Sequence, residues 1–240
     1  MAAALLDLPA YTIRRSARAR HSRITITEQA QAVVVLPLRA PEQDAADLVA
    51  RYRTWVHRNV GRMAARRAAL DGRPSIDSGR ELFWLGIRHR VVSLAAIDGR
   101  ARSSVRVVDG RVVVTSALQE KRSTAQIIDA WFRSHAKREI SARVAARAPD
   151  LGVSPRSVTI RDQKSRWGSA SARGTLSFSW RLLMCPPEVL EYVVVHELAH
   201  MKITGHPRAF WRLVGRHHPD VRGARRWLRE HHDEIRHALD

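Results

Sequence analysis

At 240 residues the chain can hold one large domain or two small ones, and either buries a sizeable core. One cysteine, Cys185, excludes an internal disulfide, and a net charge of +19 with an isoelectric point near 11.6 creates a field that favours polyanions. No run approaches the ~18 apolar residues of a membrane span, and the opening "MAAALLDLPA" lacks a basic n-region and is cut by Asp7, so no signal peptide, no membrane contact and a reducing cytoplasm are expected.

Residues 11 to 38 read as two strands, "SRITIT" and "AVVVLPL", separated by the polar "EQAQ". Before them "RRSARARHSR" carries five arginines in ten residues, a solvated basic rim or an anion-binding strand edge. From Pro41 to about Leu70 the spacing predicts one long helix, with Leu48, Tyr52, Trp55, Val56, Val60 and Met63 in the core. After the turn residues "DGRPS", strands are expected in "ELFWLGIRHRVVSLAA" and "SSVRVVDGRVVVTSA", the latter folded at Asp109-Gly110. Ser123 or Thr124 can cap a helix reaching Ala148, with Ile127, Ile128, Trp131, Ile140 and Val144 as its apolar stripe. A shift of composition at 118 to 123 marks the expected domain boundary.

The remainder reads as a strand ("SVTIRD"), a polar loop, a strand ("TLSFSW") and three helices. In the second strand Leu176, Phe178 and Trp180 form an apolar face against Thr175, Ser177 and Ser179, which suggests a small antiparallel sheet. Pro187 and Glu188 suit the first turn of a helix whose Val189, Leu190, Val193, Val194 and Leu198 are buried.

That helix ends in "HELAH". The three matching positions of His-Glu-x-x-His occur by chance in about 3% of chains this long, so context must decide. Four residues advance a helix by about 400°, so His196 and His200 project from one face and can share one zinc ion, with Glu197 beside them to activate water. Beyond it, Gly205 can end the helix in a left-handed cap and Pro207 can start the next, placing His206 at the corner as third ligand. His217-His218, His231-His232 and His237 read as surface residues.

The run "RWGSASARGTLSFSWRLLMCPPEVLEYVVVHELAHMKITGHPRAFW" resembles the YgjP-like metallohydrolases, a zinc metallopeptidase group similar to the SprT and WLM proteases. Weaker similarity extends over nearly the whole chain. The resemblance implies that His196, His200 and His206 bind one zinc ion and that Glu197 is the catalytic base. The family often shows cysteine where this chain has Ala170, so no thiol role carries over at that position. A metzincin is not expected: the third residue after His200 is Ile203 rather than glycine, and all four methionines precede His206.

The fold expected is α+β: a β-rich part with one long helix over 1–120, then a zincin-like part over 121–240 with a small antiparallel sheet, the HExxH helix and two further helices. The expected activity is hydrolysis of a protein or peptide substrate, gripped along "TLSFSW" by strand addition. The loop from Lys164 to Ser171 is the expected source of substrate contacts, with Arg166 as donor beside Trp167 and Ser169. Two alternatives come from charge. Arg161, Lys164, Arg166, Arg173 and Arg181 can clamp phosphates, as a nucleoside triphosphate phosphohydrolase requires, and a basic surface suits a DNA-associated SprT-like protease. Nothing in the sequence signals an oligomeric state.

Overall fold

The computed structural model describes residues 8–98, 100–163 and 165–240, apart from the side chain of Ser78. The chain divides into two compact units, 1–73 and 74–240.

In the first unit, strands β1 (Tyr11–Ser16), β2 (Arg23–Ile26) and β3 (Ala32–Pro37) form a sheet of order β1-β3-β2. β2 pairs with β3 antiparallel, as alternation suggests, while β1 pairs with β3 parallel. β1 lies partly in the arginine-rich segment that reads as a rim. Its Arg15 donates to the carbonyls of Leu38 and Ala40 at 2.9 and 2.8 Å, tying the strand to the chain beyond β3. The long helix is two, α1 (Gln43–Arg51) and α2 (Arg53–Asp71), separated at Tyr52, whose φ of −108° and ψ of 21° leave the helical range. A small core of Val34, Leu36, Ala45 and Val49 follows. Tyr52 and Trp55 stay 48% and 38% exposed, contrary to the core assignment, because the break at Tyr52 changes the phase of the apolar stripe.

The second unit has two sheets and five helices among its described residues. β4 (Glu81–Trp84), β5 (Ile87–Ala95), β6 (Ser104–Val108) and β7 (Arg111–Ser116) lie in the order β4-β5-β7-β6. Asp109 and Gly110 both have positive φ, 49° and 70°, as a tight hairpin requires. α3 (Thr124–Arg147) starts with a full capping box: the Ser123 side chain accepts from Gln126 N, and the Gln126 side chain accepts from Ser123 N. Phe132 rather than Trp131 fills the centre of its buried stripe, and Trp131 lies half-buried against Trp84, the rings tilted with centroids 4.5 Å apart.

The second sheet contains β8 (Ser157–Arg161), β9 (Gly168–Ala170) and β10 (Thr175–Ser179), in the order β8-β10-β9. It is mixed rather than antiparallel: β9, formed inside the polar loop, takes the antiparallel side of β10, and β8 runs parallel on the other. β10 is therefore central and buried on both faces. Ser177 and Ser179 are buried along with Leu176 and Phe178.

α4 (Pro187–His200) starts at Pro187 and buries nearly its whole surface. Its Glu191 is forked by Arg143 and Arg147 of α3, the Arg143 contact being 3.1 Å, which fixes α4 across α3. α5 (Arg208–His217) and α6 (Val221–Glu230) follow, then a short extra helix, α7 (His232–Arg236). One continuous core runs from Leu82 in β4 to Ala238. The compositional shift at 118–123 thus falls inside this unit, because β4–β7 and α3 bury their apolar faces against one another. Among the described residues no helix is long and apolar enough to cross a membrane.

Candidate active site

α4 ends at His200, sooner than the glycine cap suggests. Gly205, at a φ of 73°, lies in the following loop and turns it so that His206 comes back to the helix. The Nε2 atoms of His196, His200 and His206 converge at 3.2, 3.1 and 3.3 Å from one another. Among the described residues they are the one group of three side chains placed to hold a metal ion.

These separations suit a cation. Nitrogens 2.0–2.1 Å from one tetrahedral zinc ion lie about 3.3 Å from each other. His200 Nδ1 contacts the carbonyl of Ile203 at 3.2 Å; in the neutral ring this makes Nδ1 the protonated atom and leaves the lone pair on Nε2, pointing at the shared centre. Tyr192 Oη lies 3.4 Å from His196 Nδ1 and braces the second ring. Burial first, then the neighbouring His200 and His206, push His196 down to about 3, and burial also lowers His200, so both are neutral donors at ordinary pH.

Two aromatic side chains lock the rings. Phe210 stacks on His200 at 4.4 Å and Trp211 on His206 at 5.4 Å, both from the first turn of α5. Pro207 sets the start of that helix, so the order His-Pro-x-x-Phe-Trp supplies a ligand and its two clamps within six residues.

Glu197 is buried beside the triad, and burial raises its carboxyl to about 7 against the pull of the Arg166 charge. The wall facing it is Gly168 in β9. A Cβ there would meet Glu197 Cγ and Oε1 at 2.7 Å, so glycine is what lets the strand approach the carboxylate. Two clefts, of about 540 and 580 Å³, share Arg166, Gly168, His196 and Glu197 and extend to either side. The larger runs along β9 and past His200 and His206. The other runs towards α6.

Of the expected substrate contacts, Arg166 is exposed and lines both clefts. Trp167 is half-buried under the Arg236 guanidinium, 4.3 Å from its ring, and Arg236 Nη2 donates to the Arg166 carbonyl at 2.6 Å. Ser169 accepts from Gln163 at 3.3 Å and lines the larger cleft, as does Ala170. The strand expected to grip substrate, β10, has both edges paired; the edge bordering the cleft belongs to β9. Among the described residues the cations of the expected phosphate clamp do not come together. Arg181 is buried in a two-pronged pair with Asp162 at 2.9 and 3.1 Å, Arg161 and Arg173 line neither cleft, and Lys164 lies outside the described residues. His218 is buried rather than on the surface, donating from Nε2 to the Glu188 carbonyl at 2.9 Å.

The pattern of the YgjP-like metallopeptidase domain matches residues 20–231. The chain belongs to the YgjP-like family. Among solved structures, the metallopeptidase zymogen of Pyrococcus abyssi abylysin is 27% identical with a TM-score of 0.34, over 38% of this chain and 90% of that one. No curated protein matches. The YgjP-like domain places its HExxH helix against a mixed sheet in an α+β fold, and it is a metallopeptidase domain. Tyr192, Phe210, Trp211 and Arg236 also brace this candidate site and are not among the residues expected there from the sequence, whereas Gly168 lies in the loop expected to supply substrate contacts. The aromatic pair beside His206 and the glycine beside Trp167 were the signals available.

Proposed function

We propose that this YgjP-like domain hydrolyses peptide bonds, with a zinc ion held by His196, His200 and His206 and with Glu197 as general base. The observation that best supports it is the convergence of three imidazole nitrogens beside a buried carboxylate within a metallopeptidase domain. Bound zinc supplies a Lewis acid that polarises a carbonyl and lowers the pKa of water. Glu197, buried beside the triad, takes a proton from the attacking water and returns it to the leaving amine. Arg166, at the mouth of both clefts, donates to the carbonyl oxygen as it gains negative charge. An extended peptide lies along β9, whose outer edge offers main-chain groups and so tolerates varied side chains. Ser169 and Trp167 border that track.

The test is cleavage of an unstructured protein by the zinc-loaded chain, with nucleoside triphosphates assayed in parallel. Chelation should abolish cleavage and zinc should restore it. Glu197→Gln should keep zinc stoichiometry while turnover falls by about 100-fold or more, and His206→Ala should lose zinc affinity. Nucleotide turnover abolished by Glu197→Gln, with no protein cleaved by the parent, would overturn the reading.

A further inference from the structure

The cleft on the α6 side of Glu197 has a composition that general peptide hydrolysis does not call for. Its volume, about 540 Å³, falls within the usual range for ligand pockets of about 300–1,000 Å³. Its floor is apolar: Tyr192 and Val193 of α4 and Leu228 of α6 are buried, and Trp167 is half-buried. Its rim is cationic. Arg225 and Arg229 stand one turn apart on α6, on the side of the helix that buries Leu228, and Arg166 faces them from the loop before β9.

Three arginines in so basic a chain call for a second observation, and placement and pairing supply it. Arg225 is held in position, with its guanidinium over the Trp211 ring at 4.6 Å. Among the described residues none of the three forms an ion pair, whereas Arg143, Arg147 and Arg181 of the same unit are each engaged by a carboxylate. The carboxylates lining the cleft are Glu197 at its inner end and Asp233, which is met by His232 at 2.9 Å.

We propose that this cleft is a substrate subsite for a carboxylate next to the scissile bond, held between Arg225 and Arg229 on one wall and Arg166 on the other. The aliphatic part of the same residue rests on Trp167 and Leu228. Guanidinium groups suit a carboxylate because they offer paired N–H donors in one plane, and an apolar floor strengthens the contact by excluding water. The site accepts either an acidic side chain or the free carboxyl end of a chain. This inference rests on the peptidase reading and makes the enzyme selective for acidic substrates.

The test is equilibrium binding of short fluorescent peptides to the zinc-loaded Glu197→Gln protein, with cleavage by the parent measured separately. The peptides differ in one residue (Glu, Gln or Lys) at each position beside a fixed central bond, each made as free acid and as amide. At one position Glu should bind at least tenfold tighter than Gln and further ahead of Lys, with the advantage shrinking as salt rises. Adding Arg225→Gln and Arg229→Gln should bring the Glu to Gln ratio near one, and Arg229→Glu should turn the preference towards Lys. If the Glu advantage holds in the amides, the carboxylate is a side chain; if it needs the free acid, it is the chain end; both support the subsite. Equal binding of Glu and Gln peptides, or a preference unchanged in the double variant, overturns it. Carboxylate-selective binding without cleavage by the parent leaves the cleft as a carboxylate-binding site but rejects the peptidase reading, and with it the place of that site beside a scissile bond.

Discussion

At the scale of single residues, the site depends on a side chain that is missing. Gly168 lets β9 pass so close to Glu197 that a Cβ would overlap its carboxylate arm at 2.7 Å. Glu197 is buried and cannot swing away freely, so Gly168→Ala forces the carboxylate or the strand to move. Overpacking of this kind costs about 1–3 kcal/mol, and a displacement near 1 Å at the reacting group costs about 100-fold in rate. The expected result is a kcat lower by that order at unchanged zinc stoichiometry, since the three histidines are untouched; a kcat within a few-fold of the parent would show that the strand yields without moving Glu197.

At the scale of elements, the short helix α7 matters beyond its length. It brings Arg236 under the loop before β9, where one guanidinium covers Trp167 and holds the Arg166 carbonyl. Burial lowers the Arg236 pKa, with the nearby Arg181 charge adding to the effect, and its Nε and Nη1 have no hydrogen-bond partner among the described residues. The arginine therefore carries a desolvation cost that the loop contacts offset. Arg236→Met keeps much of the volume and removes the hydrogen bond, which is worth about 1.5–3 kcal/mol when the donor is charged. Peptide KM should rise about three- to tenfold while zinc content stays that of the parent. Zinc titration and steady-state kinetics on one preparation check both, and loss of zinc would place Arg236 in support of the triad instead.

At the scale of the whole molecule, the two units differ in how much they bury. Among the described residues the first clusters four buried residues in its core, whereas the second has a continuous core from β4 to the C-terminal residues and contains every ligand proposed for zinc. A ligand that binds the native state stabilises it by about 2.7 kcal/mol at 100 times its Kd. Adding zinc to the metal-free protein should therefore slow amide exchange in α4, α5 and the His206 loop and leave β1–β3 unchanged. Hydrogen–deuterium exchange with and without chelator reads this out, and equal slowing in β1–β3 would mean that the two units unfold together.

The sequence by itself determined what is written in short repeats and local chemistry. His196 and His200 fall on one face because the helical period demands it, Asp109-Gly110 folds a hairpin because its backbone must take positive φ, and Ser123 starts α3 because Gln126 follows at capping distance. The position of His206 beside them follows locally too, since a glycine and a proline bracket a turn too short to carry it far. Only the tertiary structure decided the rest. β9 is three residues in a polar loop with no alternation to reveal it, and its pairing makes β10 central, so Ser177 and Ser179 are buried although their pattern reads as a wet face. The domain boundary, the exposure of Trp55 and the meeting of Gly168 with Glu197 likewise depend on residues far apart in the chain. Arg225, Arg229 and Arg166 look like any of the chain's many arginines until α6 packs beside α4. Periodicity and caps act over a few residues, whereas edges, clefts and charge clusters arise when distant segments compete for the same buried surface.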